Sequence, residues 1–538
     1  MANRETPTSL NLNPYTGEWG YTQVAHLLRR TMFGATVADI AKIQAKSMSD
    51  AVDLLLADQP APPDAPLVWY HIEIGGVVDG QTWVNLDYNS VNDFNRSQSL
   101  VGWYVQLLLT QNISIREKMT LFWHNHFSCG ITAVSDARYM YIHNGLIRSN
   151  ALGNFKTLVK SVTLDPAMLR YLSGNKNVAT APNENFAREL QELFTIGKGS
   201  EVSAGDYTTY TEADVKAAAH VLTGWKDDRD TITAVFNASQ HDPGDKQFSV
   251  RYANTVIKGS TDQTGAEREL DDLITMIFNQ NETARYVCRK LFSWFVDYKI
   301  DDAIEQNVIG VMAQTLIFNN FEIKPVLSQL LKSSLFYDAA YRGCMIKTPI
   351  DLVIGSVRTL GIAMPSPDKI TTQYYGFISL RETAGHMQMS LLEPPNVAGW
   401  PEYYEAPQYH ELWLNSGTLG ARVTFLDDIA TDKFQLVVQD YEKTSFDPTQ
   451  LIKQLSDPTD PKKIIADLAK LLYPNPLADD QMTSLHEQLL SGLPDYEWTS
   501  EWTTFLADPL NPTKKAAVKT KLVTLIKYML ELAEYQLM

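Results

Sequence analysis

The spacing of apolar residues is the feature that most limits how this chain can fold. In most segments apolar side chains recur every three or four positions, the period that gives an α-helix one buried face. Residues 21–30 show this period, and Phe33 and Gly34 end it. Alternation with period two is confined to short stretches near 232–236 and 247–257. The pattern predicts a mainly α protein: a large multi-helical globular domain with long ordered loops and at most a small β-hairpin or two.

The same period predicts the order of the helices and a coarse division of the chain. Helices are expected within 21–30, 36–57 (two short ones), 97–128, 137–149, 152–160, 183–196, 211–223, 266–279, 282–297, 303–318, 323–332 and 513–536. In 361–410 the period fades while Gly, Pro, Tyr and Met become frequent, which predicts a long ordered loop. We expect a polar N-terminal arm (1–20), a helical core domain (21–420) and a C-terminal helical segment (421–538) packed on the core.

Composition excludes several classes of protein. The chain has 538 residues, 44% of them hydrophobic, and a net charge of −17. The hydrophobic content suffices for a folded core, and the acidic balance argues against binding nucleic acid through its phosphates. No apolar run approaches the roughly 18 residues of a membrane span. Residues 1–20 are polar and contain no signal-peptide core, which predicts a cytoplasmic protein; the alternative is export with a partner or as a processed chain.

The first group of candidate functional residues is Trp123-His-Asn-His-Phe127. Two histidines two residues apart lie about 200° apart around an α-helix, so His124 and His126 can bind one metal only where the helix ends. Gly130 is near enough to end it. The alternative is that one histidine hydrogen-bonds the backbone while the other lies on the opposite face.

The second group follows a loop rich in asparagine. Asn185, Glu189 and Glu192 fall at i, i+4 and i+7, which predicts one polar stripe on a helix, with Arg188 placed to pair with Glu184. Carboxylate and amide oxygens suit calcium or magnesium, so a divalent metal held by His126, Glu189 and Glu192 is one hypothesis. A solvated outer helix face is the alternative.

Two further segments carry candidate residues. His241 lies in a turn with two aspartates and a lysine, where it can act as an acid, a base or a ligand; the alternative is an ordinary surface turn. The stretch Glu393-Pro-Pro-Asn-Val-Ala-Gly-Trp-Pro401 predicts a rigid loop that presents Asn396 and an exposed Trp400 to a substrate. Nucleotide-binding loops, serine-hydrolase elbows and zinc-protease helices are absent from the sequence.

Together these segments resemble a bacterial family known as domain of unknown function number 1800. The matching stretches are His26–Arg30 with Phe33-Gly34, Trp123–Phe127, Asp165–Leu169, Pro182–Gly197, Tyr210–Val215, Leu222–Trp225, His241-Asp242, Ala284–Leu291, Ile346–Leu352 and Pro394–Pro401. They cover most of residues 20–420 in order. The resemblance implies no particular reaction. It does imply a candidate binding partner, because relatives are often exported proteins whose genes lie beside those of a sulfatase/phosphatase-like family.

Two hypotheses about function follow. The first is a hydrolytic or oxidative enzyme. More specific forms of this hypothesis add a metal-assisted mechanism or a glycan substrate. In it Glu189 or Glu192 is the base or metal ligand, and His124, His126 or His241 is the complementary acid or ligand. Asn185, Arg188, Asn396 and Trp400 would then contact the substrate. The second is a non-catalytic helical scaffold that binds the sulfatase/phosphatase-like protein and uses the polar stripe as a buried packing network.

Overall fold

The chain is mainly helical, as the apolar period predicts. A computed structural model describes residues 7–62, 64–400, 409–434 and 446–538. Its α-helices are α1 (Tyr21–Thr31), α2 (Val37–Gln44), α3 (Met48–Leu55), α4 (Asp93–Leu109), α5 (Arg116–His126), α6 (Ile131–Val134), α7 (Ala137–Ser149), α8 (Phe155–Thr163), α9 (Pro166–Tyr171), α10 (Glu184–Glu192), α11 (Glu212–Val221) and α12 (Gln263–Phe278). They continue with α13 (Asn281–Phe295), α14 (Asp302–Ile304), α15 (Gly310–Phe318), α16 (Ile323–Leu331), α17 (Pro349–Leu360), α18 (Ile370–His386), α19 (Ser416–Ala430), α20 (Pro448–Ile452), α21 (Pro461–Leu472), α22 (Asp479–Leu490), α23 (Asp495–Ala507) and α24 (Pro512–Glu531). None of these helices is both long and apolar enough to cross a membrane.

The strands of the described residues form three two-stranded antiparallel sheets. The sheets pair β1 (Glu201–Ser203) with β2 (Asp206–Tyr207), β3 (Trp225–Asp228) with β4 (Thr233–Phe236), and β5 (Lys246–Gln247) with β6 (Val256–Ile257). The strand expected near 232–236 is β4. The stretch 247–257 supplies only short strands at its two ends, because a 3₁₀ turn at Val250–Tyr252 separates them.

The prediction of a long loop over 361–410 is wrong at its centre, where α18 lies. This helix is buried on nearly all sides, including Tyr374, Phe377 and Leu380. A helix that is covered all round has no polar face, so its sequence has no amphipathic period to detect. Tyr374 packs close to Gly102 of α4, where a larger side chain would meet its ring.

Hydrogen bonds join the C-terminal helices to the first and middle parts of the chain. Arg29 of α1 donates through Nη2 to the carbonyl oxygens of Lys470 and Leu471, at 2.7 and 2.9 Å. Buried Arg422 donates to the carbonyl oxygen of Lys347 at 2.9 Å and to Gln536 Oε1 at 3.0 Å. The predicted boundary at residue 420 falls inside α19. The helix predicted over 513–536 is α24, followed by a 3₁₀ turn over Ala533–Gln536.

Candidate functional site

Three buried polar residues from three parts of the chain meet beneath the end of α5. His124 lies 5.9 Å from the ring of His143 on α7, measured between ring centroids, and 5.7 Å from the ring of Trp400. His143 donates from Nδ1 to Oδ2 of Asp165 at 2.8 Å. Asp165 is held there because it also caps α9, accepting from the backbone N–H of Met168. We call His124, His143 and Asp165 the buried histidine centre.

The buried histidine centre leaves several polar atoms unsatisfied. Within the described residues, neither ring nitrogen of His124 has a hydrogen-bond partner, and the same holds for His143 Nε2 and Asp165 Oδ1. Burial, with a smaller effect of His143, lowers the pKa of His124 to about 3. His124 is therefore a neutral imidazole at physiological pH. Its proposed catalytic role stays a prediction.

Sequence reasoning did not identify His143. It stands alone on α7, outside every matched stretch, and its partner Asp165 was recognisable only as a helix cap. The 22 residues between them give no periodic signal, since α7 and α9 meet through tertiary packing.

His126 lies apart from this centre. Its Nε2 donates to the carbonyl oxygen of Phe194 at 2.9 Å, while burial and the charge of Lys290 lower its pKa to about 3. It lines a narrow crevice with Asn125, Tyr286 and Lys290, among others. One histidine of the pair thus bonds the backbone and the other faces elsewhere, which is the alternative the sequence left open.

The polar stripe on α10 is partly engaged in ion pairs and hydrogen bonds. Arg188 donates to both carboxylate oxygens of Glu212, at 2.7 and 2.6 Å. Its predicted pair with Glu184 is confirmed at 3.4 Å. Glu192 accepts from the hydroxyl of Tyr210 at 2.8 Å. Exposed Asn185 donates to the carbonyl oxygen of Leu172 at 3.2 Å.

Glu189 differs from its neighbours on α10. Its carboxylate has no hydrogen-bond or ion-pair partner among the described residues, and it is partly buried. Burial, helped by the negative charge of Glu192, raises the pKa of Glu189 from 4.5 to about 7. A carboxyl group with that pKa can take up and release protons near neutrality.

The metal site predicted from His126, Glu189 and Glu192 is not assembled. In the described part of the chain, no three His, Cys, Asp or Glu side chains come together in a way that could hold a metal ion. The reason is local, because His126 turns toward the Phe194 carbonyl and Glu192 toward Tyr210. Lys290 is the charged group that lowers the pKa of His126, whereas Glu192 raises the pKa of Glu189 and Arg188 lowers it.

His241 is buried, so the alternative of a surface turn is wrong. Its Nε2 donates to Oε1 of Glu269 at 3.2 Å, and its Nδ1 lies 3.1 Å from the hydroxyl oxygen of Thr223 and 2.8 Å from the carbonyl oxygen of the same residue. Lys246 donates to the other oxygen of Glu269 and to the carbonyl oxygen of Asp242. We call His241, Glu269 and Lys246 the saturated cluster, because both ring nitrogens of His241 and both oxygens of Glu269 have partners.

The expectation that Trp400 is an exposed substrate platform is wrong. Its side chain is fully buried, and its backbone N–H donates to Oδ1 of Asn125 at 2.8 Å. The preceding Gly399 has φ +92 and lies so close to Asn125 that a Cβ there would be 2.3 Å from the same oxygen. The carbonyl oxygen of Asn396 accepts from Ser128 at 2.9 Å, which also holds the loop against the end of α5.

A wider cleft lies away from every predicted site residue. Its volume is about 570 Å³, and Trp103, Tyr141, Arg116 and Arg148 are among the side chains that line it. No sequence pattern indicates this cleft, because these residues come from α4, α5 and α7 and belong to no motif.

A comparison with known protein families agrees with the resemblance that the sequence motifs indicate. A family model described as "Protein of unknown function (DUF1800)" matches residues 26–537. The chain belongs to this family. No curated protein and no solved structure matches it. In this DUF1800 chain the match continues beyond residue 420, so the family includes the C-terminal helices as well.

Proposed function

We propose that the chain is a non-catalytic helical scaffold that binds a sulfatase/phosphatase-like protein. The observation that carries this proposal is that several polar side chains of the matched stretches are bonded to other parts of the chain. Arg188 is bound by Glu212, and His241 by Thr223 and Glu269. Polar networks of this kind fix how helices pack, which a rigid docking protein requires.

An apolar surface gives this proposal a place where the partner can dock. Five large apolar side chains between residues 72 and 94 are exposed, and we call them the 72–94 patch: Ile72, Ile74, Val78, Val91 and Phe94. The two halves of this segment are tied together, since Asn92 donates to the carbonyl oxygen of Ile74 at 2.8 Å and to Glu73 at 2.9 Å. Exposed apolar groups that form one continuous surface are typical of protein interaction sites, and these hydrogen bonds hold Ile74 beside the start of α4.

The experiment measures binding between the purified chain and a sulfatase/phosphatase-like protein of the kind that the family resemblance implies as a partner. Size-exclusion chromatography detects the complex, and isothermal titration calorimetry gives its Kd. The double variant Val91→Ser/Phe94→Ser should raise Kd at least tenfold, since it removes two apolar contacts. Leu510→Ser is the matched control, because Leu510 is 93% exposed on another part of the chain. The absence of a complex, or equal effects of the two variants, contradicts the proposal.

The second candidate function is acid–base hydrolysis at α10, which the unpartnered, partly buried Glu189 favours. Its pKa of about 7 gives it the proton affinity of a general acid or base, and Glu192 is the neighbouring carboxylate. The test incubates the chain with a panel of oligosaccharides between pH 5 and 9 and quantifies products by chromatography. Glu189→Gln should abolish product and Glu184→Gln should not. A panel without product at any pH, or product from Glu189→Gln, excludes this candidate.

A further inference from the structure

A small cavity lies where the C-terminal helices meet α1 and α17. Arg29, Lys347, Asp351, Leu471 and Tyr535 are among the residues that line it. Its volume is about 40 Å³. One buried water needs about 10–15 Å³ on this measure, so the cavity accommodates a group of about three or four heavy atoms.

The amine of Lys347 forms no ion pair with a carboxylate among the described residues. Its Nζ lies 3.6 Å from the centre of the Tyr535 ring, and no hydrogen bond or ion pair of this amine is found within the described residues. Burial, and secondly the positive charge of Arg29, hold the pKa of Lys347 well below its usual value. An ammonium group in this place is therefore short of a counter-charge.

Arg29 is the second cation of the cavity. It donates through Nη2 to two carbonyl oxygens, which are neutral acceptors, and burial lowers its pKa to about 10. A guanidinium that bonds only to carbonyl groups keeps its full positive charge near Lys347.

Asp351 cannot neutralise both cations because it is already engaged. One of its oxygens pairs with buried Lys118, and the other accepts from the hydroxyl of Thr348 at 2.9 Å. Arg422, whose charge also acts on Lys347, is bonded to carbonyl and amide oxygens. Among the described side chains that line the cavity, two are cationic, Arg29 and Lys347, and Asp351 is the one carboxylate.

We propose that this cavity binds a small oxyanion, the carboxylate or phosphate end of a ligand, between Lys347 and Arg29. The anion would accept hydrogen bonds from the ammonium and the guanidinium, and these charge-assisted bonds are the strong class of hydrogen bond. This site is independent of the proposed docking surface, which lies in residues 72–94.

The test is thermal unfolding of the whole chain with increasing sodium phosphate or sodium acetate. Sodium chloride at matched ionic strength is the control for general salt effects. A ligand that binds only the folded state raises Tm in a saturable way. We expect saturation with phosphate or acetate and none with chloride; whichever anion acts at lower concentration identifies the preferred group. No saturable rise, or an equal rise in chloride, overturns the proposal.

Three variants tie the effect to the cavity. Lys347→Met should weaken the apparent affinity at least tenfold, Lys347→Arg should retain it, and Lys216→Met, at an exposed position on α11, should leave it unchanged. Without anion, Lys347→Met should unfold at the same temperature as the parent chain or higher, because it removes a buried amine that has no hydrogen-bond or ion-pair partner among the described residues. A marked fall in Tm would mean that the lysine charge is already compensated, and it would overturn the proposal. Direct titration with phosphate by calorimetry gives the affinity independently of unfolding.

Discussion

The molecule contains two buried groupings of histidine and carboxylate that differ in how many of their polar atoms have hydrogen-bond partners. In the saturated cluster, His241 and Lys246 share the carboxylate of Glu269, and each ring nitrogen of His241 has a partner. In the buried histidine centre, His143 bonds Asp165, but His124 bonds nothing in the described part of the chain. Lys246 belongs to the first grouping, whereas no lysine or arginine among the described residues pairs with Asp165 in the second.

This difference in hydrogen bonding shows that burial alone does not indicate how much a polar side chain contributes to stability. A fully partnered charge network costs little to keep buried but much to break, because each member depends on the others. A buried polar group without partners has already incurred its desolvation cost, so its removal loses no bond. The saturated cluster should therefore be essential for stability, while His124 should be nearly dispensable at neutral pH.

The largest expected effect is that of Glu269→Ala in the saturated cluster. It leaves Lys246 and His241 buried without their carboxylate, and should lower the free energy of unfolding by about 3–5 kcal/mol. Urea denaturation followed by circular dichroism measures this. Glu267→Ala, on the same helix but outside the cluster, should change it by less than about 0.5 kcal/mol. Equal effects at the two positions would show that the cluster is not a coupled network.

A smaller effect is expected for Asp165→Ala in the buried histidine centre. It removes the cap of α9 and the acceptor of His143, which together should cost about 2–4 kcal/mol. Asp165→Asn keeps an acceptor oxygen for both donors and should cost less than half as much. If the asparagine variant is as unstable as the alanine variant, the charge of Asp165 matters more than its two hydrogen bonds.

The pH dependence of stability should distinguish His124 from an exposed histidine. The pKa of His124 is about 3 in the folded chain and 6.5 ordinarily, so the unfolded state binds more protons between these values. Folding stability from this group is present above pH 6.5 and is lost as the pH falls toward 3, by about 2 kcal/mol at pH 5. His124→Phe should lessen that loss and the control His71→Gln, at an exposed position, should not; unfolding in urea at pH 5 and 8 measures both.

The smallest effect is that of His124→Phe at pH 8. The substitution keeps an aromatic ring beside Trp400 and removes no hydrogen bond found in the described residues, so it should change stability by less than about 1.5 kcal/mol. A loss above about 3 kcal/mol in the same denaturation experiment would mean that His124 has a bound partner, such as an ordered water.

The helical fold could be predicted wherever a helix has one polar face. The segment that becomes α10 is an example, because its apolar positions and its Glu184–Arg188 pair both follow helical spacing. Helix α18 could not be predicted in this way, since it is surrounded by other helices. The amphipathic period of apolar residues identifies helices with one polar face, but it does not identify helices that are buried on nearly all sides.

The candidate site was less predictable than the fold. Trp400 was expected to be exposed and is buried, because burial depends on tertiary packing, whereas the role proposed for His126 stays a prediction. His143 and Glu269 gave no signal, since their partners lie 22 and 28 residues away. The sequence reveals which residue types are available, and the packing of helices decides which of them meet.

The backbone pairing between residues 345–347 and 536–538 has a consequence for the time course of folding. Lys347 donates to the carbonyl oxygen of Gln536 at 2.7 Å, and Met538 donates to that of Met345 at 2.8 Å. At a synthesis rate of about 5–20 residues per second, Leu537 is added to the chain roughly 10–40 s after Ile346. During that interval the backbone groups of residues 345–347 lack these partners, so the junction that joins the C-terminal helices to α17 cannot form until residues 536–538 have been synthesised.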